Sequence, residues 1–261
     1  MGILNVTPDS FSDGGRFNAR DKALRQAELM IAEGADIIDV GGESTRPGSD
    51  AVSETRELER VVPVIEALRD ITDVPVSIDT TKAGVMRESV QAGACLINDV
   101  MALQGVGALQ AAAEAAVPVC LMHMLGTPRT MQEDPEYGDV TQDICAFLRD
   151  RITACVDAGI SKDLIIVDPG FGFGKTAEHN VELLRNLRQL ADLGRPILAG
   201  LSRKSTLGLL TGRDVDERVP ASLAAAVVAI MNGAHIVRVH DVAETVDAMR
   251  VVRAVLESGN Q

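Results

Sequence analysis

Short apolar runs rich in valine and isoleucine alternate eight times with longer segments whose apolar residues recur at helical spacing. The short runs are typical of buried strands, and the longer segments are typical of amphipathic helices. The eight predicted strands lie at residues 2–7, 35–42, 74–80, 95–100, 117–124, 163–170, 196–203 and 234–241. In the helix predicted from Val140, one face carries Ile144, Phe147, Leu148 and Ile152. In the last helix, one face carries Val242, Val246, Met249, Val252 and Leu256.

Strands that are apolar throughout and separated by helices indicate a parallel sheet covered on both faces. Eight such units in one domain, residues 1–261, predict an α/β fold of the (β/α)8 barrel type. A doubly wound open sheet has the same alternation of strands and helices, and periodicity alone does not exclude it.

The charge and cysteine content narrow the class of protein. A net charge of -13 without a basic cluster argues against nucleic acid or an anionic membrane as partner, so a bound anion needs cations placed locally. The four cysteines form no CxxC pair, which indicates reduced thiols. Because the sequence also has no apolar run of membrane-spanning length and opens without a signal-like segment, we expect a cytoplasmic enzyme.

Polar residues follow the apolar core of each predicted strand. In chain order they are Asn5; Glu43, Ser44, Thr45 and Arg46; Asp79; Asn98; His123; Asp168; Ser202, Arg203 and Lys204; Arg238 and His240. In a barrel all of these strand ends open on one face, where such folds place their chemistry.

Several of these residues also have a purely structural interpretation. Asp79 and Asn98 are suitable helix caps, and His123 between two methionines is typical of a hydrogen-bonded core histidine. Arg238 and His240 differ, since two cations spaced two apart on an apolar strand point to the same side and predict an anion site.

Residues 168–176, DPGFGFGKT, superficially resemble a nucleotide-binding loop. A Walker loop requires glycine where Pro169 stands, so the motif fails, and we assign Lys175 and Thr176 to the start of the next helix. The glycines and the side chains of Phe171 and Phe173, both expected to be exposed, suit the wall of a pocket for a flat ligand.

The polar groups around such a pocket match a nitrogen-rich ring. A carboxylate accepts two parallel hydrogen bonds and therefore suits the N–C–N donor edge of an aminopyrimidine or a pterin. Asp168 and Asp79 offer carboxylates, Asn98 an amide, and Lys204 a donor to ring oxygen or nitrogen.

Eight motifs in this order closely resemble the bacterial dihydropteroate synthases: GILNVTPDSFSDGG, GGESTRPG, SIDTTK, INDV, LMHM, DPGFGFGKT, GLSRKS and RVHD. The resemblance covers essentially the whole chain. It implies a (β/α)8 enzyme that joins 6-hydroxymethyl-7,8-dihydropterin diphosphate to 4-aminobenzoate and releases diphosphate. It also implies a homodimer and competition by sulfonamides.

The resemblance further implies a role for each matching residue. Pterin is bound by Asp79, Asn98, Asp168, Lys204, Met122 and Phe173. Diphosphate is bound by Asn5, Arg46, Arg238 and His240, with Asn5 holding a magnesium ion. Aminobenzoate is bound by Phe11, Thr45, Arg46, Pro47 and Ser202. The catalytic residues are then Asp79, Asp168, Lys204 and Arg46.

The implied mechanism is a dissociative, SN1-like transfer in which magnesium and cations neutralise the departing diphosphate. By motif, Ser10, Ser44 and Ser202 have no evident histidine partner, so no covalent nucleophile is expected. One departure from the family is expected: the sequence begins at the first barrel strand, without the N-terminal β-hairpin common in relatives. Either the sequence is trimmed, or the base of the barrel is closed in another way.

Two other functions fit part of the sequence. A methyltransferase barrel that handles methyltetrahydrofolate shares the pterin-reading Asp and Asn but has no need for the cations of SRK and RVHD. A catalytically silent pterin binder tolerates loss of the first two loops, and both loop motifs are present.

Overall fold

Eight short parallel strands form a closed ring in the computed structural model, which describes residues 1–7, 16–44, 51–127, 131 and 134–257. The strands are β1 (Gly2–Asn5), β2 (Ile38–Gly41), β3 (Val76–Asp79), β4 (Leu96–Asp99), β5 (Val119–Met122), β6 (Ile165–Asp168), β7 (Leu198–Ala199) and β8 (Ile236–Val237).

The pairing of the strands distinguishes a barrel from an open sheet. β1 to β6 pair side by side in chain order, and β7 pairs with β8. Parallel bridges from Val167 to Ile197 and from Gly2 to Val239 join these two sheets at both edges. The ring is therefore closed, which confirms the predicted barrel and excludes the doubly wound sheet.

Helices surround this ring and connect its strands. They are α1 (Arg16–Ala32), α2 (Glu54–Ile71), α3 (Ala83–Ala92), α4 (Ala108–Ala115), α5 (Val140–Asp157), α6 (Ala177–Arg185), α7 (Ser205–Thr211), α8 (Val219–Met231) and α9 (Val242–Glu257). Two of them, α7 and α8, lie between β7 and β8. In the described part of the chain, no helix is both long and apolar enough to cross a membrane.

The predicted helix faces are largely confirmed. In α5, Ile144 and Leu148 are fully buried, and in α9, Val242 and Val252 are buried. Leu256 of the predicted α9 face is instead exposed near the end of that helix. All eight strands lie within the predicted runs but are shorter, because the runs include loop residues that leave the barrel.

Side-chain alternation divides the core into two parts. The outward side chains pack against the helices in one large cluster; they include Leu4, Val40, Ile78, Ile97, Leu121 and Val167. A separate apolar cluster consists of Met1, Ile37, Leu96, Cys120, Ile166, Leu198 and Ile236. Because the outward cluster takes the alternate strand positions, this second cluster forms the lower layer of the barrel interior.

The next inward position lies two residues further along each strand. Apart from Ile3 on β1, these positions are occupied by Asp39, Asn98, Met122, Asp168, Gly200 and Arg238. One step toward the carboxyl ends, the barrel interior thus becomes largely polar. We call this set, together with Asp79 at the end of β3, the upper layer.

Candidate active site

Arg238 connects three strands of the upper layer. Its Nε donates to Asp39 Oδ2 at 2.6 Å, and its Nη2 donates to Asp79 Oδ2 at 2.7 Å. The side-chain amide of Asn98 donates to the same Asp39 oxygen at 3.1 Å. The structure thus brings Asp79, Asn98 and Arg238 together, as predicted from their strand-end positions.

Burial and charge act in opposite directions on these groups. Burial raises the pKa of Asp79 to about 7, against the opposing effect of the Arg238 guanidinium. Burial also disfavours the charge of Arg238, but the carboxylates of Asp39 and Asp79 outweigh it and raise the pKa of Arg238. Arg238 is therefore a permanent cation, whereas Asp79 takes up a proton more readily than an ordinary carboxylate.

Asp39 is a member of this cluster that sequence reasoning missed. It is fully buried, and its Oδ1 has no hydrogen-bond partner among the described residues. In the sequence, Asp39 lies inside the apolar run of the second strand, before the polar residues that start at Glu43. A charged residue in the middle of such a run was the available signal, because burying an unpaired carboxylate is costly.

Asp168 lies at the end of β6, where residues 168–176, the glycine loop, begin. Its Oδ1 accepts the backbone N–H of Gly170 at 2.7 Å, which fixes the orientation of the carboxylate. Gly170 has a φ of +70°, and a Cβ placed on it would lie 1.9 Å from the carbonyl oxygen of His123. Only glycine fits at this position. Burial raises the pKa of Asp168, although the hydrogen bond from the Gly170 N–H acts in the opposite direction.

Lys204 extends from the segment after β7 across the glycine loop. Its Nζ donates to the carbonyl oxygen of Phe171 and lies 4.5 Å from the ring centroid of Phe173. Burial lowers the pKa of Lys204 to about 8, while the charge of Asp168 acts in the opposite direction. Asp168 and Lys204 therefore form a second pair of opposite charges in the same mouth of the barrel.

The two phenylalanines of the glycine loop differ in burial. Phe171 is almost completely buried in the large core cluster, so the expectation that both rings are exposed is wrong for this residue. Phe173 is half-buried, and Met122 is buried at the end of β5. Phe173 and Met122 are thus the apolar side chains placed near Asp168 and Lys204.

Lys175 and Thr176, at the end of the glycine loop, have different roles. Thr176 caps α6, and its hydroxyl accepts the backbone N–H of His179 in a capping box, as predicted for a helix start. Lys175 is instead buried, and its Nζ contacts His123 Nδ1 at 3.0 Å. Burial lowers the pKa of His123 to about 3, assisted by the Lys175 charge, so His123 is a neutral, hydrogen-bonded core residue.

Ser202 and His240 lie side by side after β7 and β8. Ser202 Oγ accepts the backbone N–H of His240 at 3.2 Å and contacts its ring Nδ1 at 3.1 Å. No motif in the sequence pairs Ser202 with a histidine, and the structure supplies this partner from the segment after a neighbouring strand. The contact orients the imidazole at the barrel mouth.

Asn5 ends β1 next to Gly41 of β2. A Cβ on Gly41 would lie 3.7 Å from Asn5 Oδ1 and 3.8 Å from Asp79 Oδ2, so both oxygens face the same gap. Among the described residues, no group of three or more acidic, histidine or cysteine side chains is arranged to hold a metal ion. A cation here would take most of its oxygen ligands from water and a bound phosphate, which is how Mg²⁺ is commonly held.

Four predicted site residues, Phe11, Thr45, Arg46 and Pro47, lie outside the described part of the chain. The residues on either side of 45–50 are described. Glu43 Oε1 accepts the backbone N–H of Val52 at 2.7 Å, and Glu43 Oε2 accepts Lys82 Nζ at 2.5 Å. Lys82 also donates to the fully buried Glu57 at 2.5 Å, which ties this segment to α2.

Together these groups suit a planar, nitrogen-rich ligand that carries an anion. Asp79 and Asp168 are acceptors, Asn98 can donate and accept, and Arg238 and Lys204 are cations in a poorly solvated interior. Such an interior strengthens electrostatic interactions with a ligand.

Comparison with known proteins agrees with this geometry. A family model described as pterin binding enzyme matches residues 1–240. A dihydropteroate synthase of Haemophilus influenzae is 55% identical over 254 residues, covering 97% of this chain and 92% of that protein.

Two solved structures extend the match to the fold. Dihydropteroate synthase of Yersinia pestis in a sulfonamide drug complex has a TM-score of 0.94 at 55% identity, covering 99% of this chain and 93% of that one. Dihydropteroate synthase of Xanthomonas albilineans in complex with 7,8-dihydropteroate has a TM-score of 0.90 at 49% identity, covering 98% and 92%. The chain therefore belongs to the pterin-binding enzymes and, within them, to the dihydropteroate synthase family.

Proposed function

We propose that this protein condenses 6-hydroxymethyl-7,8-dihydropterin diphosphate with 4-aminobenzoate to give 7,8-dihydropteroate and diphosphate. The observation that carries the proposal is the upper layer, in which Asp79, Asn98 and Arg238 are connected by hydrogen bonds around Asp39. A relative with the same fold binds 7,8-dihydropteroate, the product of this reaction.

The pterin is assigned to the carboxylate side of the mouth. Asp168 faces the N–C–N donor edge with Oδ2, while Oδ1, which already accepts the Gly170 N–H, has a second lone pair for the other ring donor. Asp79 and Asn98 bind the opposite part of the ring, and Lys204 donates to a ring oxygen or nitrogen. Met122 and Phe173 supply apolar contact to the ring.

The diphosphate is assigned to Arg238, His240 and Asn5, with Arg46 as a further cation. In the reaction, the bond between the exocyclic methylene carbon and the diphosphate oxygen breaks, and its electron pair leaves with diphosphate. Arg238 stabilises the negative charge that develops on the leaving group. Asp79 and Asp168 stabilise the positive charge that the pterin spreads from its methylene carbon.

The amine of 4-aminobenzoate then forms the new C–N bond at the methylene carbon and loses a proton to solvent. Ser202 belongs to the proposed aminobenzoate site, together with Phe11, Thr45, Arg46 and Pro47. Sulfonamides carry an aniline like that of aminobenzoate, and a relative is known in complex with such a drug. We therefore propose that sulfonamides compete with aminobenzoate here.

Mg²⁺ is the proposed cofactor. The amide oxygen of Asn5 is a hard donor at the diphosphate end, and it suits an ion that takes its other ligands from phosphate and water. When bound, the ion neutralises charge on the diphosphate.

We also propose that the protein is a homodimer and that it is located in the cytoplasm. The outer surfaces of α7, α8 and α9 expose large apolar side chains, and α8 packs against both neighbours. These side chains are Leu209, Leu210, Val228, Met231, Val251 and Val255. The four cysteines are free thiols, as a reducing compartment maintains them.

Diphosphate release in the presence of pterin diphosphate, 4-aminobenzoate and Mg²⁺ tests the proposed reaction. We expect release that requires the aminobenzoate and is accompanied by an equal amount of 7,8-dihydropteroate. Folded protein that binds the pterin without turnover would identify a silent pterin binder. Methyl transfer from methyltetrahydrofolate in place of this reaction would identify a methyltransferase barrel.

A further inference from the structure

Several carbonyl groups of the glycine loop accept hydrogen bonds from side chains. Lys204 Nζ donates to the carbonyl of Phe171, and the Tyr137 hydroxyl donates to the carbonyl of Gly174 at 2.7 Å. Two further contacts come from Lys175, which donates to Gly170 O at 2.9 Å and to Phe173 O at 3.0 Å. One buried ammonium thus joins the start of the loop to its end.

The third partner of Lys175 lies outside the glycine loop. His123 follows β5, its Nδ1 lies 3.0 Å from Lys175 Nζ, and its backbone N–H donates to Asp168 O at 2.9 Å. An ammonium has three donors, and here all three have an acceptor. The His123 ring is itself held edge-on against Phe147 with centroids 4.9 Å apart.

We propose that Lys175 is a positioning residue for the pterin end of the site, with His123 as its partner. By holding Gly170 and Phe173 it fixes the shape of the glycine loop, and Gly170 in turn fixes the carboxylate of Asp168. Lys175 does not touch the ligand, and its effect reaches the pterin through Asp168. This inference rests on the proposed function, because it assumes that Asp168 binds the pterin.

The arrangement keeps its three hydrogen bonds in two protonation states. As an ammonium, Lys175 donates to both carbonyls and to Nδ1 of a His123 ring protonated on Nε2. As a neutral amine, it donates to both carbonyls, and its lone pair accepts a proton from the ring tautomer protonated on Nδ1. In the second state one proton has been released to solvent, and the ring stays neutral in both states.

The groups around Lys175 favour a change of its protonation state near neutral pH. Burial lowers the pKa of Lys175 to about 7; Asp168 on β6 opposes the shift, and Lys204 after β7 adds to it. His123, from β5, stays uncharged beside it. The two states are therefore both accessible near neutral pH.

Lys175→Met tests the positioning role by removing the nitrogen while keeping most of the side-chain length. We expect 6-hydroxymethyl-7,8-dihydropterin to bind at least about 10-fold more weakly in calorimetry, since Phe173 O loses its side-chain donor and Gly170 O keeps only the backbone N–H of Phe173. KM for pterin diphosphate should rise similarly, while KM for 4-aminobenzoate changes less than about two-fold. Glu178→Gln, an exposed change in the first turn of α6, is the matched control and should bind the pterin like wild type.

The outcomes separate this inference from the proposed function. Unchanged pterin affinity in Lys175→Met, beside tight binding by wild type, contradicts the positioning role alone. An equal rise in both KM values also contradicts it, since that result indicates general disruption. Wild-type protein that binds no pterin contradicts the proposed function, and this inference with it.

A spectroscopic measurement on wild type avoids dependence on a variant that fails to fold. With ¹⁵N-labelled histidine, the His123 ring should remain uncharged to below pH 5. Its Nδ1 signal should change from acceptor-type to protonated-type as pH rises through about 7. A His123 ring that becomes charged near pH 6.5, like an exposed histidine, would overturn the pairing with Lys175.

Discussion

At the scale of single residues, we expect the charge of Asp79 to set the pH range in which the site binds pterin. Its pKa is raised from 3.8 to about 7, so the protonated form predominates at pH 6 and the carboxylate at pH 8. For folding, a raised carboxyl pKa stabilises the protein below about pH 4, and this contribution is lost as pH rises to about 7. For pterin binding the sign is opposite, because protonation turns one acceptor oxygen of Asp79 into a donor that cannot pair with the ring N–H groups.

We therefore expect affinity for 6-hydroxymethyl-7,8-dihydropterin to increase about 10-fold between pH 6 and pH 8, following the ionised fraction of Asp79. Calorimetry across this range measures the change. Asp79→Asn should bind more weakly and lose the pH step. A step of equal size in that variant would show that another group titrates.

The residue scale also shows where sequence reasoning stopped. Asp79, Asn98, Asp168 and Arg238 were found from their places at strand ends, which the barrel brings to one face. Asp39 was overlooked although a charged residue inside an apolar run was a usable signal. The buried position of Lys175 was not found, because it depends on a contact with His123, which lies far away in the sequence. Local motifs contain no record of such contacts.

At the scale of elements, Lys82 ties the segment after β2 to α2 through Glu43 and Glu57. Glu57 is fully buried, and its Oε1 has no hydrogen-bond partner among the described residues. Lys82→Met leaves this carboxylate without its cation, and we expect a loss of about 3 kcal/mol in the free energy of unfolding. Urea denaturation measures the loss.

The Arg87–Glu114 pair provides the control for this prediction. Both side chains are about half exposed, and Arg87 Nε lies 3.1 Å from Glu114 Oε2, so Arg87→Met should cost less than about 1 kcal/mol. Equal losses in the two variants would contradict a special role for the buried Lys82.

Element order was largely predictable and closure was not. All eight strands were predicted from short apolar runs, since buried parallel strands need apolar side chains on both faces. Closure depends on the contacts between β6 and β7 and between β8 and β1, which unite residues distant in the chain. The same pattern of apolar runs fits an open sheet, so only the three-dimensional pairing decided between the two folds.

At the scale of the whole molecule, the apolar surface of α7, α8 and α9 predicts self-association. We expect sedimentation to give a homodimer, and Val251→Asp with Val255→Asp to give a monomer, because buried carboxylates disfavour an apolar interface. Val106→Asp changes a fully exposed valine before α4 and should leave the dimer intact. A double variant that remains dimeric would place the interface elsewhere.

At the same scale, we propose that the upper layer has a pterin end and a diphosphate end. Arg238 contacts Asp79, so its removal would disturb both ends and cannot separate them. Asp168 and His240 are better probes, since Asp168 is assigned to the pterin and His240 to the diphosphate. In Asp168→Asn, the Gly170 N–H retains the amide oxygen and turns the NH₂ group toward the pterin donors.

The most direct test is calorimetry of 6-hydroxymethyl-7,8-dihydropterin and of its diphosphate, each with wild type, Asp168→Asn and His240→Ala. We predict that Asp168→Asn weakens both ligands by a similar factor of about 10 to 100. His240→Ala should weaken the diphosphate at least about 5-fold and leave the pterin without phosphates unchanged. If His240→Ala weakens both ligands equally, or Asp168→Asn weakens neither, the division of the layer into two ends is contradicted.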